Sequence, residues 1–273
     1  MTILIVLIGL LISHFATGFR HLRNFRWLLW LIERARQRFP DTSWLAFLLV
    51  LLVSLAVSAL LIWLVTALFG PVGWALLALA VFIYTLGPRD LDMDVKSLAE
   101  RSQGASPEEV SEAAHAMQLD LSDGPSEAAA AVFHAALSRW FGILFWFVVL
   151  GIPGALIYRL TRVSLQAEAL RPDEIEWLAR LRVVLDWPVL ALVVISAGLC
   201  GDLDRIHRAW RQQPDGYPVW LLTPSTLDRI AAAIVPEQGS FDQGLSTGHQ
   251  MVWRMLVLWL VALSLMLLAG WMV

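Results

Sequence analysis

The sequence predicts an all-α, polytopic helical membrane protein with a transmembrane hairpin, cytoplasmic helical inserts and segments that either span or re-enter the membrane. From Thr42 to Pro88 the chain carries no Asp, Glu, Lys, Arg or His, and a second uncharged stretch runs from Met255 to Val273. The 273 residues are 58% hydrophobic, with 14 Trp and a mean hydropathy of +0.67. Composition of this kind is typical of integral membrane proteins rather than of soluble domains.

The hairpin is predicted at residues 44–86. As a helix, Trp44–Phe69 is about 39 Å long, more than the roughly 30 Å of bilayer hydrocarbon. Its apolar sequence is broken once, at Phe69-Gly70-Pro71-Val72-Gly73. We therefore expect a turn there, followed by a shorter second limb from Val72 to Leu86.

Residues 1–43 combine an apolar N-terminal segment, which we expect to be retained, with a basic interfacial helix. Trp, Phe and Leu alternate with the arginines of this helix, and that pattern favours anionic lipid over nucleic acid as its partner. Clustered arginines also indicate the cytoplasmic side. The arginines are Arg20, Arg23, Arg26, Arg34, Arg36 and Arg38.

A cytoplasmic helical insert is predicted at 87–139. Ser106, Pro107 and Glu109 are typical of a helix start, so a helix is expected from Ser106 to about Leu119. Ser122-Asp123-Gly124-Pro125 breaks it. A second, alanine-rich helix then opens at Ser126 and continues through His134 and Arg139.

Residues 140–204 hold two broken membrane segments, Phe141–Leu160 and Val183–Cys200. Gly151, Pro153 and Gly154 interrupt the first segment, and the second is short for a span. If both segments crossed, five arginines between them would lie outside, against the positive-inside rule; if both dip in and return, these arginines stay cytoplasmic. The sequence leaves both alternatives open.

Residues 205–251 are predicted to form a cytoplasmic helix and a linker, and 252–273 a C-terminal transmembrane helix. Acidic residues precede basic ones after Gly201, as the helix dipole favours. Pro236–His249 is rich in Gly, Ser and Gln, which is typical of a mobile linker.

A membrane-exit motif follows the hairpin: Tyr84, Gly87, Pro88, Arg89, Asp90 and Asp92. A calcium loop starting at Asp90 would need Gly at position 95 and Glu at position 101, and the chain has Val and Arg there. We expect Asp92 and Asp94 to cap or solvate the next helix, or alternatively to pair with Arg159 or Arg162.

Tyr158, Arg159 and Asp186 are the candidate ligand-binding residues, because a charge beside an apolar run needs a partner, water or a headgroup. Arg159 and Asp186 are expected to pair and to border a cavity below the helix break at Gly151, Pro153 and Gly154. No catalytic residue, metal ligand or cofactor is assigned. The six histidines have no metal-ligand spacing, and the single cysteine, Cys200, has no partner for a disulfide.

The order of five motifs resembles the superfamily that joins AmpE proteins to the CobD/CbiB cobalamin-biosynthesis synthases. The first and last motifs look like the AmpE branch. The motifs are Tyr84–Val95, Leu144–Phe147, Gly151–Leu160, Leu185–Pro188 and Gly201–Asp204.

This resemblance implies a multi-pass regulator in a bacterial inner membrane, with the bulk of its loops cytoplasmic, that modulates β-lactamase induction and the cell-wall stress response. An anionic amphiphile or peptidoglycan fragment is the implied ligand, beside membrane lipid, and a protein partner is left open. The alternative is a membrane-embedded amide synthase or transferase of the cobalamin-biosynthesis type, whose sign would be Asp90, Asp92, Asp94 and Asp186 converging within metal-coordinating distance. A transporter predicts an inverted repeat, and none is evident.

Overall fold

The structure of the chain is a computed structural model. It describes residues 2–15, 26–38, 43–86, 90–101, 104, 106–165, 170–212, 222–236 and 238–270. These described residues form helices and turns and contain no strand, which confirms the all-α class. The helices are α1 (Thr2–Phe15), α2 (Arg26–Arg38), α3 (Ser43–Thr85), α4 (Leu91–Ala99), α5 (Pro107–Met117), α6 (Pro125–Ala136), a π-helical turn (Leu137–Phe141), α7 (Gly142–Leu150), α8 (Ile152–Ser164), α9 (Pro172–Cys200), α10 (Leu203–Arg211), α11 (Pro224–Ile234) and α12 (Phe241–Leu268).

The chain divides into two compact units. Unit 1 comprises Met1–Pro88, Gly142–Leu185 and Leu267–Val273, and unit 2 comprises Arg89–Phe141 and Asp186–Met266. Within the described residues, four helical stretches are long and apolar enough to cross a membrane. They are Phe47–Thr85, Pro125–Leu150, Pro172–Cys200 and Phe241–Leu268.

In unit 1, α3 reverses direction at Gly70. This residue has φ 62° and ψ −152°, a conformation that is essentially confined to glycine. A Cβ atom on Gly73 would lie 3.0 Å from the carbonyl oxygen of Val65, an approach that a continuous helix does not allow across eight residues. Only 6% of the most apolar window of this stretch is buried inside the protein. The predicted hairpin, with its turn at Gly70, is therefore confirmed.

The same turn occurs again between α7 and α8. Gly151 has φ 68° and ψ −148°, nearly the values of Gly70. A Cβ atom on Gly154 would overlap the carbonyl oxygen of Trp146, which again lies eight residues earlier. Both turns thus place a second glycine three residues after the first, where the two limbs touch. The predicted helix break at Gly151, Pro153 and Gly154 is a reversal of the chain.

Helix α9 contains no such reversal: it runs without interruption for 29 residues, although Pro188 lies inside it. The alternative in which Val183–Cys200 dips into the membrane and turns back is therefore wrong for the backbone. Pro188 cannot donate to the carbonyl of Val184. The next carbonyl, that of Leu185, accepts a hydrogen bond from the Trp146 indole at 3.0 Å, so a neighbouring helix supplies a donor beside the proline.

Apolar side chains join the helices of unit 1. Phe82 in the second limb of α3 packs against Phe147 of α7, with 4.8 Å between the ring centroids. Helix α1 approaches Phe82 closely at Gly9, where a Cβ atom would lie 2.5 Å from the ring. The basic segment is helical where the structure describes it, in α2. Arg20 and Arg23 lie outside the described residues.

In unit 2, the cap predicted at Ser106 is present. Ser106 caps α5 by accepting a hydrogen bond from the Glu109 amide at 3.2 Å, and α6 begins at Pro125. Between the two helices, Asp120 accepts hydrogen bonds from the amide and the hydroxyl of Ser122, and these bonds lower the pKa of Asp120. The helix continues through the π-helical turn into α7 and passes position 139, where the sequence predicts a boundary.

The predicted mobile linker at Pro236–His249 is wrong, because α12 begins at Phe241. Ser240 and Gln243 form a reciprocal cap, in which each side chain accepts a hydrogen bond from the other residue's amide, at 3.3 and 3.1 Å. Gly244 and Gly248 bring α12 close to α6. A Cβ atom on Gly248 would lie 3.0 Å from the Cα atom of Ala129. Glycine here serves close helix packing.

We predict that Gly154→Ala lowers the stability of the protein, because its methyl group would overlap the Trp146 carbonyl. Overpacking of this kind costs about 1–3 kcal/mol. The measurement is the thermal unfolding midpoint of the full chain in detergent. Gly198→Ala is the matched control, since its nearest contact is the flexible end of Leu203 at 3.0 Å. Equal midpoints for the two variants would contradict the tight turn.

Candidate functional site

The acidic residues of the predicted exit motif lie at the start of α4. Asp90 caps the helix, since its side chain accepts a hydrogen bond from the Asp92 amide at 3.2 Å. Asp92 and Asp94 lie in the first turn, where the helix dipole favours negative charge. Gly87, Pro88 and Arg89 lie outside the described residues.

Asp92 forms a polar cluster with two side chains of α12. Its Oδ1 atom lies 2.6 Å from Nε2 of His249 and 3.0 Å from Nε1 of Trp253. The side chains of Asp92 and His249 are 20% and 26% exposed. The expectation that Asp92 only caps or solvates α4 is therefore wrong, whereas its pairing with Arg159 or Arg162 stays a prediction. We call Asp92, His249 and Trp253 the α4–α12 cluster.

The distances in this cluster restrict where its protons lie. A separation of 2.6 Å between Asp92 and His249 requires a proton between the two atoms. When Nε2 carries that proton, it cannot accept from Trp253, although the indole nitrogen is only 3.1 Å away. The indole N–H then donates to the carboxylate, which holds two donors on one oxygen. Nδ1 becomes the ring nitrogen with a free lone pair.

Asp94, two residues after Asp92 in α4, forms a buried ion pair. Asp94 accepts a hydrogen bond from Arg139 at 2.6 Å, and their side chains are 2% and 11% exposed. Arg139 also donates to the carbonyl of Ala116 at 3.0 Å. Arg139 belongs to the π-helical turn, a feature that often marks functional sites. The expectation that Asp94 is a solvated cap is wrong, because it is buried against Arg139; a pairing with Arg159 or Arg162 stays a prediction.

These groups suit proton transfer better than metal binding. Among the residues that the structure describes, no three or more His, Cys, Asp or Glu side chains are grouped to hold a metal ion. In that part of the chain, the four aspartates of the enzyme alternative therefore do not converge as metal ligands. A carboxylate that orients an imidazole, as Asp92 orients His249, is the usual arrangement of a general base.

The three residues predicted to bind a ligand do not lie in one unit. Tyr158 and Arg159 belong to α8 in unit 1, and Asp186 belongs to unit 2. All three are buried, with 1%, 9% and 1% of their surface exposed. The Tyr158 hydroxyl accepts a hydrogen bond from Arg162 at 2.9 Å, and the Tyr158 ring packs against Gly142. These contacts give Tyr158 a structural role within unit 1.

Tyr84 also makes a structural contact. Its hydroxyl accepts a hydrogen bond from the Trp27 indole at 2.7 Å, so the end of the hairpin is joined to the basic helix α2. The residues of the predicted exit motif are thus divided between the two units: Tyr84 makes its contact in unit 1, and the aspartates make theirs in unit 2.

Sequence reasoning missed three residues of this site: His249, Trp253 and Arg139. His249 was assigned to the linker, although Ser240 and Gln243 have the spacing of a helix cap. His249 and Trp253 are four residues apart. Because α12 begins at Phe241, both lie in the helix, and this spacing places them on one helix face. That spacing is the available signal. No local pattern links Arg139 to Asp94.

Breaking the buried pair is predicted to destabilise the protein. Arg139→Met leaves the Asp94 carboxylate buried without its guanidinium, a change that costs about 3–5 kcal/mol. Arg180→Ala is the control, since Arg180 and Glu176 form an ion pair with side chains 76% and 66% exposed. The measurement is unfolding of the detergent-solubilised chain. The double variant D94L/R139M should recover part of the loss; equal stability of R139M and R180A would contradict the pair's role.

Comparison with known proteins identifies a similarity to the cobalamin biosynthesis protein CobD of Stutzerimonas stutzeri. The two chains are 30% identical over 178 residues, which are 57% of this chain and 58% of the relative. The match thus spans little more than half of the relative's length. No family model matches this chain, and no solved structure matches it. The resemblance to the CobD/CbiB superfamily is supported, and its AmpE branch receives no support.

Proposed function

We propose that this chain is a membrane-embedded amide synthase or transferase of the cobalamin-biosynthesis type. The single observation that carries the proposal is the similarity to CobD. The four membrane-length helices are compatible with it. The α4–α12 cluster supplies a group that the chemistry needs. We place the protein in the bacterial inner membrane, with most of its loops in the cytoplasm, as the arginine clusters predict.

Amide formation needs a base. The nitrogen of an amine attacks an activated carboxyl carbon, the new C–N bond forms, the leaving group departs with its electron pair, and the nitrogen loses a proton. His249 accepts this proton on Nδ1, while Asp92 stabilises the imidazolium through Nε2. A positioned base of this kind contributes about 10²–10⁴-fold to the rate. The buried Asp94–Arg139 pair fixes the turn of α4 that carries Asp92.

The test is complementation. Bacteria that lack their own CobD and need cobalamin made in the cell for growth receive the full chain or one of its variants. We expect the natural sequence to restore growth and His249→Ala or Asp92→Asn to abolish it. His134→Ala is the matched control, because His134 and Asp228 form a second pair at the same 2.6 Å. It should restore growth like the natural sequence.

One outcome would contradict this function, and another would contradict the proposed site. One is failure of the natural sequence to restore growth although immunoblots find it in the membrane. The other is restored growth with H249A, which would keep the CobD-type function but show that the α4–α12 cluster takes no part in the reaction.

A second candidate function is a regulator of β-lactamase induction and the cell-wall response. The observation behind it is the sequence resemblance of Tyr84–Val95 and Gly201–Asp204 to the AmpE branch. Its ligand would be an anionic amphiphile or peptidoglycan fragment held below Gly151–Gly154 by Arg159.

For this second function, Arg159→Ala should abolish the effect of the protein on β-lactamase induction without lowering its abundance in the membrane. The reason is loss of the cation that would hold an anionic ligand. β-Lactamase activity is measured after addition of an inducing antibiotic, in cells whose natural copy is deleted. Arg180→Ala, an exposed arginine, is the control. An unchanged induction in R159A, or in the deletion strain itself, rejects the regulatory site.

A further inference from the structure

Unit 2 contains a cavity that none of the functions above uses. It has a volume of about 200 Å³ and lies between the start of α10, the end of α11 and the middle of α12. The lining residues that matter here are Arg205, Ile234, Thr247, Gln250, Met251 and Arg254. None of them belongs to the α4–α12 cluster, so the binding test below does not depend on the proposed amide chemistry.

The cavity lies where two membrane-length helices change from apolar to polar sequence. Gly201, which lines it, directly follows Cys200, the last residue of α9, and residues 187–200 carry no charge. Arg254 lines it from α12, and residues 255–268 beyond it carry no charge either. In a membrane, this boundary is the level of the lipid headgroups.

The cavity carries a positive charge. Arg205 and Arg254 contribute two cations, and Asp202 contributes one carboxylate. Asp202 is already engaged, since it caps α10 and lies 3.3 Å from the Arg205 Nε atom. Within the part of the chain that the structure describes, no residue forms a hydrogen bond or ion pair with the Arg254 side chain. Its guanidinium is thus available to an anion.

The remaining lining matches an anion that carries an apolar part. Thr247 and Gln250 add hydroxyl and amide donors from α12, whereas Ile234 and Met251 form an apolar wall. Planar guanidinium groups match phosphate oxygens especially well. Basic pockets beside membrane helices bind phosphate headgroups in this way.

We propose that this cavity is a binding site for a phosphate-bearing anion, supplied by the headgroup of an anionic phospholipid. Arg254 and Arg205 hold the phosphate, Thr247 and Gln250 orient it, and Ile234 and Met251 contact the first carbons of the lipid. A soluble phosphate ester shares the charged part of this chemistry but lacks the acyl chains.

The experiment measures binding to the full chain in a non-ionic detergent by native mass spectrometry. The probes are dioleoylphosphatidylglycerol, dioleoylphosphatidylcholine and glycerol phosphate. We expect phosphatidylglycerol to bind in preference to phosphatidylcholine, and Arg254→Ala to weaken its binding by about tenfold or more, the loss typical of hydrogen bonds to a charged group. Arg208→Ala is the matched control, because Arg208 is an exposed arginine of α10 that does not line the cavity.

The outcomes separate the two sources of phosphate. Tighter binding of phosphatidylglycerol than of glycerol phosphate, with both lost in R254A, supports the lipid site. Equal affinities, again lost in R254A, keep the phosphate site and assign it to a soluble ester. The proposal is overturned if phosphatidylglycerol binds no better than phosphatidylcholine and glycerol phosphate does not bind, or if R254A binds as the natural sequence does. The thermal unfolding midpoint of R254A is measured alongside, and Arg254→Lys, which retains the charge, should retain part of the binding.

Discussion

The structure depends on one constraint: backbone N–H and C=O groups cannot be left without hydrogen bonds in a medium that supplies no water. A charge-free chain of more than forty residues meets this constraint only as helix, and it can reverse only where few groups are exposed. Gly70 and Gly151 provide such reversals with nearly the same φ and ψ angles. In each case a second glycine, Gly73 or Gly154, lets the two limbs touch directly after the turn.

The polar side chains obey the same constraint. The buried carboxylate of Asp94 is paired with Arg139, because an uncompensated charge in a medium of low dielectric constant is very costly. Indole N–H groups likewise form hydrogen bonds with polar groups of neighbouring helices. Trp146 binds the Leu185 carbonyl, and Trp259 binds the Ser196 hydroxyl at 2.7 Å. The many tryptophans therefore supply hydrogen bonds as well as apolar surface.

Much of the fold can be predicted from local sequence. The first hairpin follows from the absence of charge and from the single glycine-proline break, and α5 follows from the cap at Ser106. The start of α12 could have been predicted from the spacing of Ser240 and Gln243, but the Gly, Ser and Gln content of that stretch also suits a linker. The continuous conformation of α9 could not be predicted from local sequence. Whether Pro188 bends a helix, breaks it or only removes one hydrogen bond depends on hydrogen-bond donors elsewhere in the chain, and here the donor is Trp146.

The candidate site was less predictable, for a physical reason. Asp92 and His249 are 157 residues apart, and Arg139 and Asp94 are 45 apart. Such pairs depend on which helix faces meet, and α6 and α12 meet at glycines and alanines that carry no functional signal. The sequence does identify the acidic residues of α4, but their partners follow only from the packing.

The most direct test of this account is the distance between spin labels on the two limbs of α3, in the full chain reconstituted into lipid bilayers without Cys200. Labels at Val57 and Ala80, both exposed, report on the turn at Gly70. The hairpin predicts a distance below about 20 Å, whereas 23 residues of uninterrupted helix would separate the labelled positions by about 35 Å. A distance near the larger value would contradict the reversal on which the rest of unit 1 is built.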